Sequence, residues 1–96
     1  MALETKPWDV AEHLPDEAAI AAYIEAVIED GDPALLAAAI GDIARARGMA
    51  QIAKETGRSR ESLYRALSEK GNPELSTLMA VLKALGLQLS VKLSQG

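Results

Sequence analysis

The amino-acid sequence predicts an all-α domain of five helices followed by one short β-strand. Nearly half of the 96 residues are hydrophobic, and most of these are alanine or leucine. Apolar residues recur at spacings of three and four along most of the chain, which is the period of an α-helix. Single glycines or short turns of Gly, Asp, Asn and Pro separate the periodic stretches, so residues 1–96 are expected to form one domain.

Capping residues and apolar spacing position the first helices. Gly31 ends the first helix, whose apolar stripe comprises Ala19, Ile20, Tyr23, Ile24, Val27 and Ile28. Asp32 and Pro33 suit the N-cap and first position of the second helix, whose core face comprises Leu35, Leu36, Ala39, Ile40 and Ile43. Gly41, inside this helix, lowers the stability of the helix by about 1 kcal/mol relative to alanine. We therefore predict that another helix crosses closely at this position. The five helices are predicted over residues 15–30, 33–47, 50–56, 60–69 and 75–85.

The period changes at the C-terminus. The fifth helix is predicted to point Leu75, Leu78, Leu82 and Leu85 inward and to end at Gly86. In residues 87–93 apolar and polar residues alternate, which predicts a half-buried β-strand. A lone strand must pair with a neighbour. The extended N-terminal segment, the same strand of a second copy and the sheet edge of another protein are all open as partners.

Residues 49–67 carry the pattern of a helix-turn-helix. Ala53 is small where two helices cross, Gly57 supplies a left-handed backbone, and Leu63 is the apolar residue of the second helix. The second helix begins after Ser59, a good N-cap, and would enter the major groove of DNA. Base contacts are predicted for Arg60, Glu61, Ser62, Tyr64 and Arg65. Phosphate contacts are predicted for Gln51, Lys54, Ser59 and Lys70.

The net charge of −4 hides a sharp division between the two halves of the chain. Residues 1–42 contain ten acids and one base, whereas residues 43–96 contain nine bases and four acids. The basic half suits phosphate groups, and the acidic half suits a basic partner. The charge pattern therefore predicts two different partners for the two halves.

Composition also argues against several classes of function. There is no cysteine, so disulfides, thiol nucleophiles and thiolate metal sites are excluded. His13 is the only histidine, and the acids do not converge, so we expect no enzyme activity, metal or cofactor. No apolar run approaches 18 residues and no signal peptide is recognisable, which predicts a cytoplasmic protein without membrane contact.

Residues 57–87 resemble the Xre/Cro-type helix-turn-helix domain, through Gly57, Ser59, Arg60, Leu63, Arg65, Asn72, Pro73, Leu75, Thr77, Leu78 and residues 83–86. Within that superfamily, residues 8–91 resemble the addiction-module antidotes, which are HigA-type antitoxins of type II toxin–antitoxin systems. The matching residues are 23–24, 30–33, 40–48, 59–64 and 71–73. The resemblance implies a lambda-repressor-like fold.

The same resemblance implies a function. Such antidotes bind and neutralise a small, basic RelE/HigB-like toxin and repress their own operon by binding operator DNA. A homodimer on an inverted repeat is expected, because one helix reads too few bases. A stand-alone Xre/Cro-type repressor without a toxin is the alternative, and an interaction module that no longer binds DNA is a third possibility.

The toxin contact is predicted in the acidic N-terminal extension and first helix, residues 1–30. The residues expected to meet a basic toxin surface are Trp8, Asp9, Glu12, Asp16 and Glu17. Tryptophan is enriched among interface hot spots, and the carboxylates complement basic side chains. An equal alternative is that the C-terminal strand adds to a sheet of the toxin.

Overall fold

A computed structural model describes residues 16–94 of the chain, and this part contains five α-helices and no β-strand. The helices are α1 (Glu17–Asp30), α2 (Pro33–Arg47), α3 (Met49–Thr56), α4 (Arg60–Ala66) and α5 (Leu75–Ala84). The prediction of five helices is confirmed. Every helix end lies within two residues of its predicted position except the end of α4.

The predicted caps of the first two helices are present. The Asp16 side chain accepts a hydrogen bond from the Ala19 backbone N–H at 2.9 Å, so α1 begins at Glu17 rather than at Pro15. Gly31 ends α1 in the left-handed conformation. Asp32 then caps α2 by accepting from the Ala34 N–H at 3.0 Å. These bonds satisfy amide groups that have no partner within a helix.

The hydrophobic core takes side chains from all five helices. Its largest fully buried members are Ile20, Ile40, Ile43, Leu63, Leu67, Val81 and Leu85. Burial of each such side chain contributes roughly 1.5–3 kcal/mol. Two residues predicted to point inward do not, because Ile28 is 47% exposed and Leu75 is 63% exposed. Ile28 lies in the last turn of α1, and Leu75 is the first residue of α5.

Gly41 marks the predicted close approach, and its neighbour is Leu67. A Cβ atom at Gly41 would overlap the Leu67 carbonyl oxygen and lie 3.0 Å from the Leu67 Cβ. Leu67 leaves the helical conformation, with φ −99° and ψ 59°, and its side chain is fully buried. The predicted helix to residue 69 is therefore wrong at its end, because α4 stops where Leu67 turns into the core.

The predicted strand at residues 87–93 is also wrong. The segment is irregular, and only Leu87 packs against the core, whereas Val91 is 97% exposed. An isolated strand leaves its backbone groups without ladder partners, and residues 16–94 offer no second strand for pairing. Alternating hydrophobicity alone did not produce a strand.

Asp42 is a buried acid on α2. It forms an ion pair with Arg45, one turn further along the same helix. Burial raises the pKa of the Tyr23 hydroxyl above its ordinary value of 10.0, and the nearby Asp42 carboxylate raises it further. Tyr23 on α1 is therefore neutral at physiological pH. Within residues 16–94, none of the helices is both long and apolar enough to cross a membrane.

Candidate nucleic-acid interface

Helices α3 and α4 are joined by a tight turn at Gly57. Gly57 has φ 72° and ψ 22°, a left-handed conformation that residues with a side chain rarely adopt. Its N–H and that of Arg58 both bond to the Ala53 carbonyl, the latter at 3.1 Å. The Arg58 guanidinium donates from Nη1 to the Thr56 carbonyl at 3.0 Å, so this half-buried side chain fastens the turn. The sequence analysis did not predict this contact for Arg58.

Ser59 fixes the start of α4, as predicted. Its Oγ accepts a hydrogen bond from the Ser62 N–H at 3.0 Å, and the Ser62 hydroxyl donates to the Ser59 carbonyl at 3.0 Å. These two bonds order the first turn of a helix that is only seven residues long. Leu63 is 1% exposed and anchors α4 on the core, while the N-terminal residues of α4 face solvent. The first turn of α4 therefore presents polar residues to solvent, while Leu63 holds the helix on the core.

Eight of the nine residues predicted to contact DNA are exposed, and Ser62 is half-buried. Tyr64 is 43% exposed, so its ring is available on the surface beside Arg60 and Arg65. Gln51 already donates from Nε2 to the Glu55 carboxylate at 2.7 Å, which leaves its second N–H for another acceptor. The polar residues predicted to contact DNA therefore lie on α3, at the N-cap of α4, on α4 and in the turn after it.

The charge of this surface is mixed but predominantly basic. Residues 51–70 contain five bases and three acids, whereas residues 16–32, which include α1, contain six acids and no base. The charge division seen in the sequence is therefore also a division between helices. Residues 16–94 contain no cluster of three His, Asp or Glu side chains that could hold a metal ion.

The residues predicted to contact a toxin are only partly described. Trp8, Asp9 and Glu12 lie outside the described residues. Asp16 is exposed and occupied as the N-cap of α1. Glu17 is exposed and lies beside the backbone of Gly86, at the end of α5, where a Cβ atom would come within 2.8 Å of the Glu17 Cδ. The start of α1 therefore lies close to the end of α5.

Comparison with known proteins assigns the chain to a family. A family model described as "Probable addiction module antidote protein" matches residues 4–93, which is nearly the whole chain. The protein belongs to this antidote family. The chain is also similar to a protein of Haemophilus influenzae (strain ATCC 51907 / DSM 11121 / KW20 / Rd) that is described as an "Uncharacterized protein". The two are 48% identical over 95 residues, covering 99% of this chain and 98% of the relative. No solved structure matches the chain significantly.

Proposed function

We propose that this protein is the antitoxin of a type II toxin–antitoxin module, which neutralises a RelE/HigB-like toxin and represses its own operon. Membership of the antidote family supports the toxin partner. The exposed polar face of α4, held over the buried Leu63, is the observation that carries the DNA-binding half of the proposal. The role is one of binding, with no catalytic residue and no cofactor.

In this proposal α3 and α4 form a helix-turn-helix, and α4 enters the major groove. Arg60 and Arg65 bridge the two acceptors of guanine, a contact that discriminates bases by about 1–3 kcal/mol. Tyr64, Ser62 and Glu61 lie between them in the sequence and contact the remaining base edges. Lys54, Lys70, Gln51 and the hydroxyl of Ser59 hold phosphates on either side.

The repressor acts as a homodimer on an inverted repeat in this proposal. A helix of seven residues reaches few base pairs, so a single copy has little sequence specificity. Two copies related by a two-fold axis read two half-sites whose centres lie about 34–36 Å apart, one turn of B-DNA. The size of the protein, 10.2 kDa, also favours association, because a small core gains stability from an interface.

Co-expression with the small open reading frame next to this protein's gene tests the antitoxin part of the proposed function. The expected result is that the neighbour alone arrests growth, that this protein relieves the arrest, and that the two purify as one complex. A neighbour that neither binds nor arrests growth would reject the antitoxin role. Binding to the promoter fragment in that same case would support the stand-alone repressor instead.

The affinity for operator DNA is expected to fall steeply with salt concentration. Contacts from Lys54, Lys70 and the arginines of α4 to phosphates would release condensed counterions, with a slope of about −0.9 per phosphate on a log–log plot. Fluorescence anisotropy of the labelled promoter fragment over a salt series measures this slope. An affinity that is independent of salt would contradict the proposed phosphate contacts.

A further inference from the structure

A groove of about 500 Å³ lies on the side of the molecule formed by α1, α2, α5 and the C-terminal segment. Its apolar lining comprises Ile24, Leu36, Ile40, Leu78, Leu82 and Leu87. Binding sites for small groups are clefts of about 300–1,000 Å³, so a groove of this volume is large enough to receive the side chains of a partner. No residue of α3 or α4 lines it, so the groove is separate from the proposed DNA surface.

One wall of the groove is acidic. On α1, Glu25, Ile28 and Glu29 line the groove, and the half-exposed Ile28 lies on the same face as the two carboxylates. On the other wall, Val91 and Lys92 of the C-terminal segment approach α1. The groove thus combines exposed apolar side chains with acidic groups on its edge.

The two walls are joined by one weak ion pair. Lys92 Nζ lies 3.6 Å from Glu25 Oε2, and both side chains are more than 60% exposed. Exposed pairs of this kind contribute about 0–1 kcal/mol, because water and salt screen them. A cationic group from a partner can therefore replace Lys92 at Glu25 and bind Glu29 at the same time.

We propose that this groove is the docking site for the toxin, which inserts apolar side chains flanked by basic residues. The inference rests on the proposed antitoxin function and specifies its surface. The charge of the α1 wall indicates the occupant. Glu25 and Glu29 line this wall and residues 16–32 contain no base, so the wall repels nucleic acid. A second copy would present to this wall the same surface, on which the acids Glu25 and Glu29 outnumber the one base, Lys92.

The groove draws on both segments that the sequence analysis considered for toxin binding, although Asp16 and Glu17 do not line it and its C-terminal wall is not a strand. The acidic first helix supplies one wall and the exposed C-terminal segment supplies the other. Toxin bound between them leaves the exposed face of α4 accessible. The toxin–antitoxin complex can therefore still bind operator DNA.

Two substitutions in the groove, each with a matched control, test whether the groove binds the toxin. The binding partner is the purified product of the open reading frame next to this protein's gene. Ile28→Lys places a charge on the apolar wall, and its control is Met79→Lys, at a residue of similar exposure outside the groove (52% against 47%). Glu29→Lys reverses a charge on the wall, and its control is Asp30→Lys, the adjacent acid, which does not line the groove. The dissociation constant is measured by titration calorimetry at two salt concentrations, and folding is checked by circular dichroism.

We expect Ile28→Lys to weaken toxin binding at least about 30-fold, the size of an interface hot spot. Glu29→Lys is expected to weaken it about 10-fold, and less at high salt. For both controls, the dissociation constant for the toxin should stay within about threefold of the wild-type value. All four variants should retain promoter binding. If the wild-type protein binds the toxin and both groove variants bind it with affinities within threefold of the wild-type value, the groove assignment is overturned. The antitoxin role would then remain intact. Failure of the wild-type protein to bind would overturn both proposals.

Discussion

Replacing Arg60 and Arg65 together by alanine is expected to lower the affinity for operator DNA about 100-fold without unfolding the protein. Each proposed guanine contact provides about 1–3 kcal/mol, and a loss of about 2.8 kcal/mol corresponds to a factor of 100. Both arginines are exposed on α4, so their removal leaves the core around Leu63 unchanged. Anisotropy titration of the promoter fragment measures the affinity, and co-purification with the toxin should persist.

A matched control separates base reading from the loss of positive charge. Lys83→Ala and Lys92→Ala together remove two exposed charges outside α3 and α4, and we expect an affinity within about threefold of the wild-type value. If the two double variants bind the promoter equally well, α4 does not read the operator. The homodimer on an inverted repeat would then also lose its support.

Substitution of Gly41 by valine is expected to destabilise the fold by about 3 kcal/mol or more. The new side chain would overlap the Leu67 carbonyl oxygen, which is backbone and has no alternative rotamer. Small domains have unfolding free energies of about 5–15 kcal/mol, so this loss is a large fraction of the total. Urea denaturation followed by circular dichroism measures the free energy of unfolding.

Ala46→Val is the control for that experiment. It introduces the same β-branched side chain into α2 at an exposed position, where only the helix propensity changes, by less than about 1 kcal/mol. Equal stability of the Gly41 and Ala46 variants would show that α2 and the end of α4 are further apart than the structure describes. The expected difference instead links the core to the proposed DNA surface, because Leu67 both packs on Gly41 and ends α4.

The two proposed surfaces, one for toxin and one for DNA, would have a consequence for regulation. The groove lies against α1 and α5, and the polar face lies on α3 and α4, so the two partners need not compete. Under the proposed function, toxin bound in the groove remains attached while the operator is occupied. Repression by the complex, rather than by the antitoxin alone, is then sterically possible on each protomer.

Local chemistry in the sequence was sufficient to predict the helices and their caps. Gly31, Asp32, Gly57 and Ser59 each impose a backbone conformation or satisfy an amide group within four residues. Such interactions do not depend on the rest of the chain, so the helix order was predicted correctly. The exposure of Arg60, Glu61, Tyr64 and Arg65 also followed from the apolar spacing, because Leu63 and Leu67 turn one side of this segment toward the core.

The tertiary structure decided what depends on residues far apart in the chain. The segment 87–93 has the alternation of a strand, but a strand forms only beside another strand. Ile28 has the spacing of a core residue, but it is 47% exposed, because coverage depends on which other segments pack beside it. The groove requires α1, α5 and the C-terminal segment to meet, and no local pattern contains that information. Sequence by itself determined which segments are helical and how they are capped, while packing between distant segments determined which apolar residues remain exposed for a partner.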